Sequence, residues 1–276
     1  MLHGKAAPKV LALLLACAAA LPALAQGESE VNRRATAAEW TALSRLPDFS
    51  GVWVPNVTDQ IAQSTSNTPP WKPDVAAQVK HQEEEEAAGR PFLVLQGCFP
   101  HGMPAWMLIT HNAFEILLTP GRVTLLGESD GNRMRRIYTD GRGHPEDPDL
   151  TFHGHSTGKW EGDALVVDTV GVLPQSFIAT TEAVGIPNNG DMRITERFRL
   201  VDPDTLHDEM EITAPKVLTK PWKTTRIYHR QRARTYDIVE GVCAQGEYLE
   251  EVDPHGNSIY VHKPQNPDGS VGRPGS

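Results

Sequence analysis

Three histidines, His144, His153 and His155, fall within twelve positions inside the stretch Arg133–Thr169, RMRRIYTDGRGHPEDPDLTFHGHSTGKWEGDALVVDT, and Tyr138, Asp140 and Arg142 come just before them. Imidazole titrates near neutrality, so a histidine held by an acid or a phenol can move protons at physiological pH. In the preferred reading this is a metal-free acid–base site. His144 and His155 serve as base and acid, Asp140 or Tyr138 orients one of them, Arg142 or Arg136 stabilises developing negative charge, and Tyr138 and Trp160 contact a ring of the substrate. A second reading takes His153-Gly154-His155 as two imidazoles on one strand face, with His144 or Asp140 completing a three-ligand zinc set. In a third, His144 caps the turn Asp-Gly-Arg-Gly-His-Pro, His155 is a wall residue, Trp53 and Trp160 are core, and the pocket binds without reacting.

Other chemistries lack their signatures. Gly-His155-Ser156-Thr157-Gly is not a nucleophile elbow, and no Gly-x-Gly-x-x-Gly turn or P-loop implies a nucleotide cofactor. No cofactor is expected.

The elements that must position these groups read as strands. An opening strand, DFSGVWVP, ends at Pro55; FEILLT, VTLLGES and RMRRIYTD follow, parted by Pro-Gly-Arg and Asp-Gly-Asn turns. A second group comprises TFHGHSTGKW, ALVVDTVGV, MRITERFRLV, TLHDEMEIT and WKTTRIYHRQ. The spacing predicts a mostly β domain, an antiparallel meander of about eight to nine strands closing into a barrel, with short helices near 35–46 and 73–89. Residues 56–73 and 174–191 read as long loops.

Period two sorts Ile194, Glu196, Phe198 and Leu200 onto one face and Leu206, Asp208, Met210 and Ile212 onto a face of the next strand. If the Asp-Pro-Asp turn pairs Leu200 with Leu206, Phe198 opposes Asp208 and Glu196 opposes Met210. A carboxylate inside a barrel is costly unless it is paired or neutralised. Glu196 and Asp208 are therefore expected either to meet inward arginines, Arg136 among them on a face shared with Tyr138 and Asp140, or to floor an apolar cup. In the cup, Glu196 is a reserve catalytic carboxylate, and Trp53, Phe198 and Asp208 contact the bound molecule.

The whole chain adds bounds. Lys5 and Lys9, an apolar run from Val10 to Leu24, and Ala23-Leu24-Ala25 read as a secretory signal peptide cleaved near Ala25, which predicts a periplasmic or secreted protein. The expected layout is a leader over 1–25, one barrel domain over 26–256 and a disordered tail over 257–276. A formal net charge of -9 disfavours nucleic acid as partner, and no second apolar run is long enough to span a bilayer. Cys98 and Cys243, an even pair in an exported chain, read as a disulfide, which would stabilise by about 4–5 kcal/mol in the chain-entropy model. Cys98 beside His101 as a nucleophile is the rival.

The chain resembles a largely uncharacterised family of exported bacterial proteins in DFSGVW, in the Cys-x-Pro-x-Gly-Met-Pro element from Cys98 to Pro104, in RRIYTDGR-x-HP, and in GHS-x-G-x-WEGD-x-LVVDT. The match runs from about residue 48 to 245. That resemblance puts emphasis on Asp140, Arg142, His144, His155, Trp160, Glu161 and Asp163, and centres the segment on His155 and not His153. Gly51-Val52-Trp53 is similar to the first-strand Gly-x-Trp of lipocalin-like barrels. It implies a small apolar ligand, held either for transport or for lyase, isomerase or hydratase chemistry. The expectation from the sequence is thus a lipocalin-like barrel doing cofactor-independent acid–base chemistry on a hydrophobic, aromatic molecule. A non-catalytic binder and a His-ligated zinc hydrolase are the alternatives.

Overall fold

A computed structural model describes residues 34–91, 100–128, 132–241, 248–252 and 258–262. The expected leader and both Cys98 and Cys243, with their expected disulfide, lie outside the described residues. Helix α1 (Ala37–Leu43) precedes strand β1 (Gly51–Pro55), and α2 (Val57–Ser66), α3 (Pro73–Ala87) and α4 (Ala105–Ile109) lead to β2 (Phe114–Thr119), β3 (Arg122–Gly127) and β4 (Met134–Tyr138). Strands β5 (His155–Glu161) and β6 (Ala164–Val170) follow, then the short β7 (Phe177–Ala179) and β8 (Gly185–Pro187). The long strands β9 (Arg193–Asp202), β10 (Thr205–Thr213) and β11 (Trp222–Arg230) come next, with β12 (Tyr248–Val252) and β13 (Ser258–His262) last.

Nine strands close into a lipocalin-like barrel in the order β1-β11-β10-β9-β6-β5-β4-β3-β2. Their alternating burial is the period-two pattern of the sequence. Three segments differ from the expectation. Residues 56–73, read as loop, contain α2, whose first turn is capped by the Asn56 side chain accepting from the Asp59 amide at 3.1 Å. The 174–191 loop carries a hairpin of β7 and β8. Part of the tail expected to be disordered forms β13, paired antiparallel with β12.

The meander is antiparallel at every barrel neighbour but one: β4 and β5 run parallel and pair only at Ile137 with Ser156 and Tyr138 with Thr157. A parallel pair cannot be joined by a tight hairpin. The chain therefore makes a 139–154 crossover, tied down by the Thr139 amide to the Gly121 carbonyl at 2.9 Å and the Thr151 amide to the Gly171 carbonyl at 3.0 Å.

The β9–β10 register is the expected one, with Leu200 opposite Leu206, Phe198 opposite Asp208 and Glu196 opposite Met210. Glu196 and Asp208 are both 0 % exposed. The arginine that meets Glu196 is Arg135, not Arg136. Ile137 points inward, so parity carries Arg135 in with it and turns Met134, Arg136 and Tyr138 outward. The Arg135 guanidinium forks onto both Glu196 oxygens, with Nη1 at 2.8 Å from Oε1 and Nη2 on Oε2. Nη2 also donates to Thr169 Oγ1 at 3.1 Å and Ser156 Oγ at 3.3 Å. One side chain on β4 thereby reaches β5, β6 and β9 from within.

The interior is not an open cup. Helix α4 is fully buried, its Met107 carbonyl accepts from Tyr228 Oη at 3.0 Å and its Leu108 carbonyl from Arg226 Nε at 2.9 Å, both on the inward face of β11. Trp53 is core: Nε1 donates to the Phe49 carbonyl at 2.9 Å and Arg230 lies 4.3 Å over its ring. Phe198 is core as well. Burying each such side chain stabilises by about 1.5–3 kcal/mol.

Removing one member of a desolvated ion pair strands the other charge, which costs about 3–5 kcal/mol, whereas an apolar pair of similar volume is close to neutral. Arg135→Ala should therefore lose about that much in urea unfolding, and Arg135→Met with Glu196→Leu should regain most of it. A mild Arg135→Ala would show the pair to be dispensable.

Candidate functional site

The residues singled out as chemical lie on the outer face of the barrel wall, where the short β4–β5 seam ends. Ser156 and Thr169 point inward to Arg135, so their neighbours His155, Thr157 and Asp168 point out. Thr157 and Asp168 are paired residues of β5 and β6, and Asp168 is in turn opposite Thr195 on β9. The 139–154 crossover lays His144 over this surface. Gly154 lets the chain enter β5 there: its φ is +67°, and a Cβ would sit 2.6 Å from the Val170 carbonyl oxygen.

Four groups form a continuous chain. Arg193 on β9 donates to both Asp168 oxygens, at 2.7 Å from Nε and 2.5 Å from Nη2. Asp168 Oδ2 stands 3.0 Å from His144 Nε2, and His144 Nδ1 stands 2.8 Å from His155 Nδ1. Thr157 Oγ1 is 3.3 Å from His144 Nε2. A carboxylate only accepts, so His144 Nε2 carries a proton toward Asp168. In the neutral pair His144 Nδ1 is then an acceptor, His155 Nδ1 its donor, and His155 Nε2 holds a lone pair.

The electrostatics agree with that order. Burial works to raise the Asp168 carboxyl, but hydrogen bonds from Arg193 and His144 outweigh it and hold the group below the usual range. Desolvation lowers His155 below its ordinary 6.5, and the charges of His144 and Arg142 lower it further. His155 is therefore a neutral imidazole at pH 7. As pH falls through 6.5 the unfolded chain takes up this proton first, so the group leaves stability untouched above that value and reduces it below.

Tyr138 stacks on His155 with ring centroids 5.4 Å apart, and Arg142 lies 4.0 Å over the Tyr138 ring. Asp140 accepts from Arg142 Nε at 2.9 Å, a bond that holds the Asp140 carboxyl down. Asp140 thus fixes Arg142 and orients neither histidine, contrary to the expectation from sequence. Asp168 orients His144 instead. Periodicity does not single it out inside ALVVDT, because both faces of that run are apolar; the signal that marks it is its place opposite Thr157.

A cleft of about 530 Å³ lies beside this chain, lined by His155, Tyr138, Met134, Arg136, Arg133 and Phe152 among others. Arg136 belongs to it. Trp160 does not line it: five residues along β5, its ring packs 5.1 Å from Phe49. Trp53, Phe198, Glu196 and Asp208 are inside the barrel, on the far side of the wall. The zinc set is not assembled. His144 and His155 turn their Nδ1 atoms on each other, His153 packs edge-on against Trp106 at 5.2 Å, and Asp140 is taken by Arg142. Among the described residues no group of three or more His, Cys, Asp or Glu is arranged to hold a metal ion.

No protein-family model and no curated protein matches the chain. Among solved structures it is similar to a chain described as "REP1-NXSQ fatty acid transporter", at 12 % identity and a TM-score of 0.32, over 68 % of this chain and 98 % of that one. A likeness that slight says nothing of function.

Histidine side-chain ¹⁵N spectra at pH 8 should show His155 protonated at Nδ1 and bare at Nε2, with His144 protonated at Nε2. In Asp168→Asn the amide can donate to His144 Nε2, so the chain should invert and leave the proton on His155 Nε2. Nε2–H on His155 in the parent protein would reverse the assigned direction.

Proposed function

We propose that the protein is an exported small-molecule enzyme of lyase, isomerase or hydratase type, which moves a proton on a hydrophobic, aromatic substrate without a nucleotide cofactor. The observation that carries this is the Asp168–His144–His155 chain, which ends on a neutral imidazole lining a cleft.

The step uses only groups of this chain. His155 Nε2 takes a proton from a substrate C–H bond, and the electron pair of that bond remains on the substrate as an enolate. The proton already on His155 Nδ1 passes to His144 Nδ1. The positive charge then rests on His144 against Asp168, an anion clamped by Arg193, and away from the cleft. As the shared proton returns from His144 Nδ1 to His155 Nδ1, His155 Nε2 gives its proton to another atom of the substrate, and both imidazoles end neutral as they began. Returning it to a different carbon completes an isomerisation with no co-reactant, and returning it to a leaving group completes an elimination. Tyr138, stacked on His155, offers the substrate an aromatic neighbour. A relay of this sort supports rate effects of about 10²–10⁴.

A non-catalytic lipocalin-like carrier is the alternative, with its ligand inside the barrel. Buried α4 and the Arg135–Glu196 pair stand where such a ligand would lie, which favours the outer cleft. Nothing in this reading requires the zinc set.

A panel of aryl ketones and aryl-substituted carboxylic acids incubated in D₂O tests the proposal without knowledge of the substrate. Enzyme-dependent deuterium incorporation at carbon is expected, lowered about 10²–10⁴-fold in His155→Ala with its melting temperature retained. Its rate should fall on the acid side below pH 6.5, as His155 takes up a proton and loses its Nε2 lone pair. Exchange unchanged in His155→Ala would remove His155 from the mechanism; stoichiometric retention of a ligand without exchange or product would favour the carrier.

A further inference from the structure

We infer that the cleft beside His155 binds a small monocarboxylate, its anionic group held by Arg133 and Arg136 and its unsaturated or aromatic body lying toward Tyr138. This names a substrate class for the proposed reaction and rests on that reading for turnover, but the binding stands on separate residues.

The chain has 35 acidic residues against 26 Lys and Arg, so an arginine here usually meets a carboxylate. Arg142, Arg193, Arg197, Arg199 and Arg232 each do. Arg133 and Arg136 are exceptions: both are exposed, both line the cleft, and neither side chain makes an ion pair or hydrogen bond among the described residues. No Asp or Glu is among the described residues that line it. Two arginines on one cleft, with no acid among its described lining residues, leave a local positive field on an acidic protein, which attracts an anion and repels a cation.

The remaining lining selects among anions. Met134, Phe152, Tyr138 and Pro100 give the cleft apolar walls next to the guanidiniums, which suits an organic acid with a flat or unsaturated body and offers nothing to inorganic phosphate. A guanidinium also matches a carboxylate in two-point geometry. The chemistry is consistent with the base. Removing a proton next to a carboxylate, or through a conjugated system ending in one, places the developing charge on the atoms the arginines hold. The fold supplies the arrangement: the short parallel pairing at Ile137 and Tyr138 leaves Met134 to Arg136 without a β5 partner, so the outward Arg136 and Met134 face the cleft.

Calorimetry with benzoate, benzamide and inorganic phosphate tests this on the full chain. Benzoate should bind, benzamide about tenfold or more weaker, and phosphate weaker than benzoate. Arg133→Gln with Arg136→Gln should weaken benzoate about tenfold or more while melting and the histidine ¹⁵N pattern stay as in the parent, since both residues are exposed and outside the relay. Added salt should weaken benzoate and leave benzamide unchanged. His155→Ala should keep its benzoate affinity. Benzamide binding as well as benzoate, the double variant binding as the parent does, phosphate binding more tightly, or no benzoate binding at all would each overturn the inference. Deuterium exchange lost in His155→Ala with benzoate binding intact separates the two readings: a failure of exchange alone counts against the acid–base step, and a failure of binding alone against the carboxylate.

Discussion

The Arg135–Glu196 pair is the constraint around which this wall is built. Neither group reaches water, and a desolvated charge is tolerated only when its partner and hydrogen bonds are complete. Completing them requires β4, β5, β6 and β9 to sit in one register, because Arg135 must find Ser156, Thr169 and Glu196 together. This matters most at the β4–β5 seam, where backbone pairing is limited to two residue pairs. The guanidinium is a side-chain substitute for the missing ladder.

Strand alternation turns that inner clamp into an outer site. Along the same four strands each inward partner is adjacent to an outward one: Arg135 to Arg136, Ser156 to His155 and Thr157, Thr169 to Asp168. Arg193 lies on β9 with Glu196 three residues on. The relay from Arg193 through Asp168 and His144 to His155 is therefore held by the register that the buried pair enforces. The interior also carries a cost. Asp208 is buried with neither oxygen hydrogen-bonded among the described residues, and burial first, then the Glu196 charge, push its carboxyl well up, toward the neutral form. Because the folded state keeps that proton while the unfolded chain releases it from 3.8 upward, Asp208 subtracts stability as pH rises. Of the two buried arginines among the described residues, Arg135 is held by Glu196 and Arg226 by the Leu108 carbonyl and the Gln63 and Thr224 side-chain oxygens.

Much of this was legible from period-two patterning. All nine barrel strands, the β9–β10 register and the inward placing of Glu196 and Asp208 follow from alternation and turn residues, because one buried face specifies register strongly. The site was legible in part. His144, His155 and Tyr138 were found by residue type and do come together, whereas Asp168 was hidden in a run that is apolar on both faces. The polar trio Arg136, Tyr138 and Asp140 suggests an inward face for Arg136, whereas the burial of Ile137 sets the parity of β4 and brings in Arg135. The parallel seam and the crossover that brings His144 over β6 have no periodic signature, since alternation is blind to strand direction. The parity suggested by the polar trio also puts the site in the barrel's interior, whereas it lies on the outer face.

The dependence of the outer relay on the inner pair is the central claim, and one measurement addresses it directly. The Arg135→Met, Glu196→Leu protein keeps the interior filled and removes only the polar clamp, so its histidine side-chain ¹⁵N spectrum can be compared with that of the parent while both are folded. Loss of the distinct tautomers, with His144 and His155 each averaging between Nδ1–H and Nε2–H, is the predicted result. A spectrum identical to the parent's would contradict it and show that the relay holds its geometry without the buried ion pair.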